Sequence, residues 1–172
     1  VIAIAAGVSD GLGSGYSARA ALITRGLAEM TRLAVRLGAT PQTLSGLSGM
    51  GDLVLTCTGG LSRNRHVGIE LARGRRLSAI VASMKMVAEG VNTTQAALSL
   101  GARCNIELPI TTQMAAVLDG RSDVRAAVVS GDLLKVESKT VKFTLALGAK
   151  KATAWAKKIL NPPSLADKLG VK

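Results

Sequence analysis

The densest chemistry in this 172-residue chain lies between Gly51 and Arg65. A single carboxylate, Asp52, heads the apolar run Leu53-Val54-Leu55. The hydroxyls of Thr56 and Thr58 follow around Cys57, then the turn Gly59-Gly60 and the polar cluster Ser62-Arg63-Asn64-Arg65. A guanidinium presents paired donors that match a phosphate, and backbone N–H groups at a helix start add anion affinity. A carboxylate beside them can accept hydrogen bonds from a polyol or orient a neighbouring base. The plainer alternative makes Asp52 a helix cap and the arginines a solvated face. Residue types alone leave both readings standing.

Other chemistry-bearing groups point nowhere so specific. Gly11-Leu12-Gly13-Ser14-Gly15 is glycine-dense. It lacks the G-x-G-x-x-G spacing and the preceding strand that a dinucleotide-binding turn needs, so it reads as a loop between helices. His66, the sole histidine, has no second ligand or nucleophile near it in sequence and is expected on a helix surface. Glu89, in Val87-Ala88-Glu89-Gly90, is ambiguous. Cys57 and Cys104 lack metal-type spacing and read as two reduced, mostly buried thiols. No metal site is expected.

The elements that must carry these groups read as helices. Hydrophobic residues make up 48% of the chain and aromatics 2%, so the core is built from Ala, Leu, Val, Ile and Met, which suit helix-on-helix packing. The spacing predicts a long amphipathic helix from Ala18 to Leu37, ending at Gly38. Thr40-Pro41 opens a short one, with Thr40 as cap. Met50–Thr56 is helix-competent, although its β-branched residues leave a strand open. Further helices are expected over Asn64–Ala72, Leu77–Met84, Thr93–Leu100 (stopping at Gly101), Pro109–Leu118 and, capped by Ser122, Asp123–Val129. No clean two-residue alternation is expected anywhere, and the fold class is all-α, a multi-helix bundle.

Val1–Asp10 reads as the inside of a helix whose beginning is missing, not as a signal peptide. No run approaches the about 18 apolar residues of a membrane span.

The formal net charge is +11, but nine Lys against Glu137 and Asp167 put +7 of it in residues 135–172 and leave +4 for the body. Basic residues before Lys135 are Arg, with Lys85 the one exception, and Lys thereafter. That change predicts a boundary: a helical body, 1–134, and a Lys-rich extension, 135–172, of separate origin. The extension is compatible with an amphipathic helix through Phe143, Leu147, Trp155 and Ile159. A basic, tail-mediated binder of nucleic acid or membrane is one function class. It is disfavoured because the charge sits in the tail and aromatic stacking residues are scarce.

Gly49-Met-Gly-Asp-Leu-Val-Leu-Thr-Cys-Thr58 with Ser62-Arg63-Asn64-Arg65 resembles the substrate motif of bacterial-type NAD(P)-dependent glycerol-3-phosphate dehydrogenases. Val1–Gly13, the Ala20–Met30 helix, Val87–Gly90 and Glu107-Leu-Pro-Ile-Thr111 follow the same family in collinear order, to about Val129. The resemblance implies an all-α C-terminal domain like that of glycerol-3-phosphate and 6-phosphogluconate dehydrogenases. It also implies interconversion of sn-glycerol 3-phosphate and dihydroxyacetone phosphate, feeding glycerophospholipid synthesis in the cytoplasm. Asp52, Thr56, Ser62, Arg63 and Asn64 resemble substrate contacts, and Arg63, Val87 and Glu89 resemble contacts to NAD or NADP, with NADPH the expected form. The family's acid/base Lys and its Rossmann domain would lie upstream of Val1, so this chain carries no catalytic residue by resemblance and is expected to be inactive alone. Its partners would be that domain and, through an exposed apolar face, a second copy. A non-catalytic phosphate- or polyol-binding module is the alternative from another class.

Overall fold

The computed structural model describes residues 1–84, 86–122 and 124, together with the backbone of two strands, Leu133–Glu137 and Lys142–Ala146. The chain divides into two compact units, Val1–Ala127 and Val128–Lys172.

The first unit is all-helical among its described residues, as the apolar spacing predicts. Its helices are α1 (Ile2–Gly11), α2 (Gly15–Arg36), α3 (Pro41–Ser45), α4 (Asp52–Thr58), α5 (Arg63–Ala72), α6 (Leu77–Ser83), α7 (Glu89–Cys104) and α8 (Pro109–Leu118), with a π-helical turn over Leu47–Gly51. Helix α1 is buried along nearly its whole length, because it has an apolar residue on every face. Ile4 and Ala5 join Val67, Leu71, Ile80 and Met114 in one core cluster. Ile2, Ala3 and Ala6 join Leu53 and Cys57 in another. Helices α2, α4, α5 and α8 pack on this central rod, α5 the most closely, and α3, α6 and α7 pack on those helices in turn.

Glycine makes that closest packing achievable. An added Cβ at Gly7 would overlap the carbonyl oxygen of Arg65, and one at Gly68 would overlap that of Ile4. The α1 and α5 backbones therefore touch, and the start of α5 is fixed to the rod.

Three expectations are corrected. Helix α7 starts at Glu89, four residues before Thr93, and runs through Gly101 to Cys104; Asn105, at φ 54°, ψ 47°, ends it in the left-handed conformation. Gly101 is an interior position where a Cβ would lie 2.9 Å from Leu108 Cδ1. Its role there is close packing, not termination. Helix α4 starts at Asp52, because a π turn with Gly49 pressed on the Leu44 backbone precedes it. Thr40 does occupy the cap position of α3, but its hydroxyl bonds that of Thr43 and caps no backbone N–H.

In the second unit β1 (Leu133–Glu137) pairs antiparallel with β2 (Lys142–Ala146), in a register that sets Leu134 opposite Leu145 and Val136 opposite Phe143. Phe143 is thus in a strand, and the tail helix does not include it. The expectation of no two-residue alternation fails here: Leu134-Lys-Val-Glu137 and Lys142-Phe-Thr-Leu145 each alternate apolar and polar residues, a period of two that fits a pleated strand. The expected helix Asp123–Val129 and the tail positions Leu147, Trp155 and Ile159 lie outside the described residues. No helix among the described residues is long and apolar enough to cross a membrane.

Candidate functional site

Asp52 and Thr56, one turn apart on α4, and Asn64, in the first turn of α5, line a common cavity of about 290 Å³. Its other walls come from the start of α1 (Val1–Ala3), Glu29 of α2, Thr93 of α7 and Leu108 with Thr111 at the start of α8. Five helices thus deliver one carboxamide, two carboxylates and three threonines to a mostly apolar hollow. That composition suits a small ligand carrying hydroxyls.

The remaining predicted residues are distributed around it. Ser62 is the N-cap of α5, its Oγ accepting the Arg65 backbone N–H at 3.2 Å. Arg63 pairs with Glu89 at 3.1 Å, and both side chains are open to solvent, 39% and 63% exposed. Asn64 Oδ1 accepts the Gly90 backbone N–H at 2.9 Å, which binds the start of α5 to the start of α7. Val87 is exposed in the segment before α7. Neither Ser62 nor Arg63 is among the cavity's lining residues, so the structure groups Asp52, Thr56 and Asn64 with one another and Arg63 with Glu89. Two helix N-termini meet at this junction, each adding partial positive charge. His66 is exposed on α5, as expected.

Arg65 departs from the solvated-face alternative. It turns inward, and its Nε donates to Asp10 Oδ2 at 2.7 Å while Arg19 Nη1 reaches both Asp10 oxygens at 3.0 Å. These three side chains are 16–19% exposed, so the brace joining α1, α2 and α5 is largely shielded. Successive basic residues on α5 therefore do different things: Arg65 anchors the helix and Arg63 stays available.

Sequence reasoning missed Glu29 as well as Asp10. Glu29 sits in the middle of α2 and bonds residues 81 and 82 positions away. No local pattern carries that information. Three leucines in or just before the site segment are open to solvent: Leu47, Leu55 and Leu61 are 90%, 67% and 99% exposed. Among the described residues no group of His, Cys, Asp and Glu could hold a metal ion.

Cys57 lies under the site on α4, fully enclosed, and burial pushes its thiol up to about 11. At pH 8 only about one thiol in a thousand would be ionised. A thiol reagent is therefore expected to label Cys104, which is partly exposed, and to reach Cys57 only on unfolding. Counting labelled thiols with and without denaturant checks this. Rapid native labelling of both cysteines would contradict it.

The glycine-rich loop Gly11–Gly15 joins α1 to α2, with Gly13 and Gly15 at φ 71° and 84°. It follows a helix, so it is not a strand-to-helix phosphate turn. Arg63 and Glu89 instead form an exposed ion pair, and Val87 lies exposed two residues before Glu89.

Comparison with known proteins places the chain in a family. The chain is 61% identical over 140 residues to the glycerol-3-phosphate dehydrogenase [NAD(P)+] of Myxococcus xanthus, covering 81% of this chain and 41% of that protein. With the protein of the same name from Nitratidesulfovibrio vulgaris it shares 68% identity over 122 residues, 70% of this chain and 37% of the other. The crystal structure of glycerol-3-phosphate dehydrogenase from Coxiella burnetii superposes with a TM-score of 0.71 at 44% identity, over 73% of this chain and 39% of that one. The chain thus spans about two fifths of the length of the curated relatives it matches. Residues 1–129 match the family model described as NAD-dependent glycerol-3-phosphate dehydrogenase C-terminus, and the chain belongs to that family.

Proposed function

We propose that residues 1–129 form the substrate-gripping half of an NAD(P)-dependent oxidoreductase that interconverts sn-glycerol 3-phosphate and dihydroxyacetone phosphate. The convergence of Asp52, Thr56 and Asn64 on one cavity of about 290 Å³, beside the accessible Arg63, carries this reading. Asp52 accepts a substrate hydroxyl, and Thr56 and Asn64 fix the carbon chain. Arg63 takes the phosphate with two parallel N–H donors, and the Ser62 hydroxyl, still free to donate, supports it. Arg63, Val87 and Glu89 would meet one side of the dinucleotide, whose nicotinamide, when bound, would supply the hydride chemistry.

The exposed Leu47, Leu55 and Leu61 supply an apolar face for a nucleotide-binding domain or a second copy of the chain. In the cytoplasm the reaction would provide the glycerol 3-phosphate backbone of glycerophospholipids.

Titration calorimetry tests the ligand assignment. The chain is expected to bind glycerol 3-phosphate, and Asp52→Asn to weaken that binding about tenfold, the loss of roughly one charge-assisted hydrogen bond. Binding of inorganic phosphate should be unchanged by the substitution, because Asp52 meets the polyol. No uptake of glycerol 3-phosphate at millimolar concentration, or equal affinity in the two proteins, overturns the reading.

A further inference from the structure

Glu29 is 3% exposed, and it lines the same cavity as Asp52, Thr56 and Asn64. Its carboxylate spans the gap from α2 to α8. The backbone N–H of Ile110 donates to one oxygen at 2.6 Å; the backbone N–H and the hydroxyl of Thr111 donate to the other at 3.4 and 3.2 Å. Helix α8 has no capping side chain of its own: Leu108 fills the cap position and Pro109, at the helix start, has no N–H. A carboxylate from another helix thus replaces the cap. Leu108 and Thr111, at the turn it holds, are cavity walls too.

We propose that Glu29 is a positioning residue of this site: by pinning the first turn of α8 to α2 it sets where the Leu108 and Thr111 wall stands, and so the fit of the ligand. The polyol-phosphate reading enters only through the ligand used as probe.

A merely structural cap and a positioning carboxylate differ in how stability and affinity respond. Burial raises the Glu29 carboxyl above its ordinary value, against the opposing pull of the Ile110 and Thr111 donors and of Arg32. The other charges on elements packed against α2 are Asp10 on α1, Asp52 on α4, and Glu89 and Arg103 on α7; α3 and α8 carry none. Because the folded value is raised, the stability this group contributes is full below the ordinary carboxyl value near 4.5 and is lost as pH rises through the raised one. The hold on α8 runs the other way, since the ionised carboxylate is the better acceptor. Removing the charge without the shape should therefore help the fold while loosening the wall.

The full chain and its Glu29→Gln variant, compared at each pH between 5 and 8, test this, since the ratio cancels the titration of the ligand's own phosphate. At pH 7 the variant should be at least as stable in urea as the wild type. Its Ile110 and Thr111 amides should exchange about tenfold faster, and its affinity for glycerol 3-phosphate should be about tenfold lower. Lowering the pH through the raised carboxyl value should bring the wild type toward the variant. Unchanged exchange and affinity at pH 7, or stability and affinity falling together, overturn the proposal. If the wild type takes up no glycerol 3-phosphate, the ligand reading falls, and exchange and stability still decide whether Glu29 pins α8. Should Glu29→Gln fail to fold, Thr111→Val removes one donor and leaves the charge in place. About two- to threefold faster exchange at Ile110 supports the proposal, and no change overturns it.

Discussion

Gly68→Ala should lower the unfolding free energy by more than about 3 kcal/mol, at the upper end for a single added methyl. The new Cβ would overlap the Ile4 carbonyl oxygen and lie 2.7 Å from the Val8 nitrogen and 2.9 Å from the Gly7 carbonyl carbon. All three obstacles are backbone atoms of α1, so no side chain can rotate out of the way. Only separating α1 from α5 relieves the overlap, and that opens the cluster around Ile4 and Val67, both 0% exposed. It also pulls Arg65 away from Asp10, leaving a shielded carboxylate short of one partner. Gly60→Ala is the matched control, because nothing lies within 4 Å of a Cβ there, and it should change stability by less than about 0.5 kcal/mol. Urea unfolding reads both, with the midpoint falling and the slope unchanged for Gly68→Ala. A Gly68→Ala protein within about 1 kcal/mol of the wild type would mean that the helices cross with more room than the structure shows.

That crossing also shows where the sequence was legible and where it was not. Helices α2, α5 and α8 could be read within a residue or three at most ends, because their limits are written locally. Gly38 and Gly74 carry positive φ just past two of them, and Pro109 opens the third. Gly101 has the same residue type and the opposite meaning, since its missing side chain makes room for Leu108 rather than ending a helix. Local sequence cannot separate those uses of glycine. The candidate site divides in the same way. The segment Asp52–Arg65 is contiguous and announces itself by residue type. Asp10 reaches Arg65 across 55 positions and Glu29 reaches Thr111 across 82, pairings that only the packed bundle creates. Their partners are backbone amides or one arginine among many, so no spacing rule marks them.

Two arginines separated by one residue should therefore fail in different ways, and Arg63→Ala should have the largest functional effect in the chain. Arg63's recorded partner, Glu89, forms an exposed pair of the kind worth about 0–1 kcal/mol, so breaking it hardly touches the fold. The same weakness lets a doubly charged phosphate displace Glu89 and capture the guanidinium. Losing two charge-assisted hydrogen bonds, each worth roughly 1.5–3 kcal/mol, should lower affinity for glycerol 3-phosphate by about a hundredfold or more. Arg63→Lys keeps the charge but not the planar fork, so it should recover only part of that loss. Arg65→Ala inverts the pattern. It strips a partner from the shielded Asp10 and should cost about 2–3 kcal/mol of stability, with affinity falling only as far as α5 shifts. Calorimetric titration and urea unfolding of the three variants separate the roles. If Arg63→Ala binds glycerol 3-phosphate as tightly as the wild type, the phosphate is held elsewhere, and Arg63 serves only to meet Glu89 at the junction of α5 and α7.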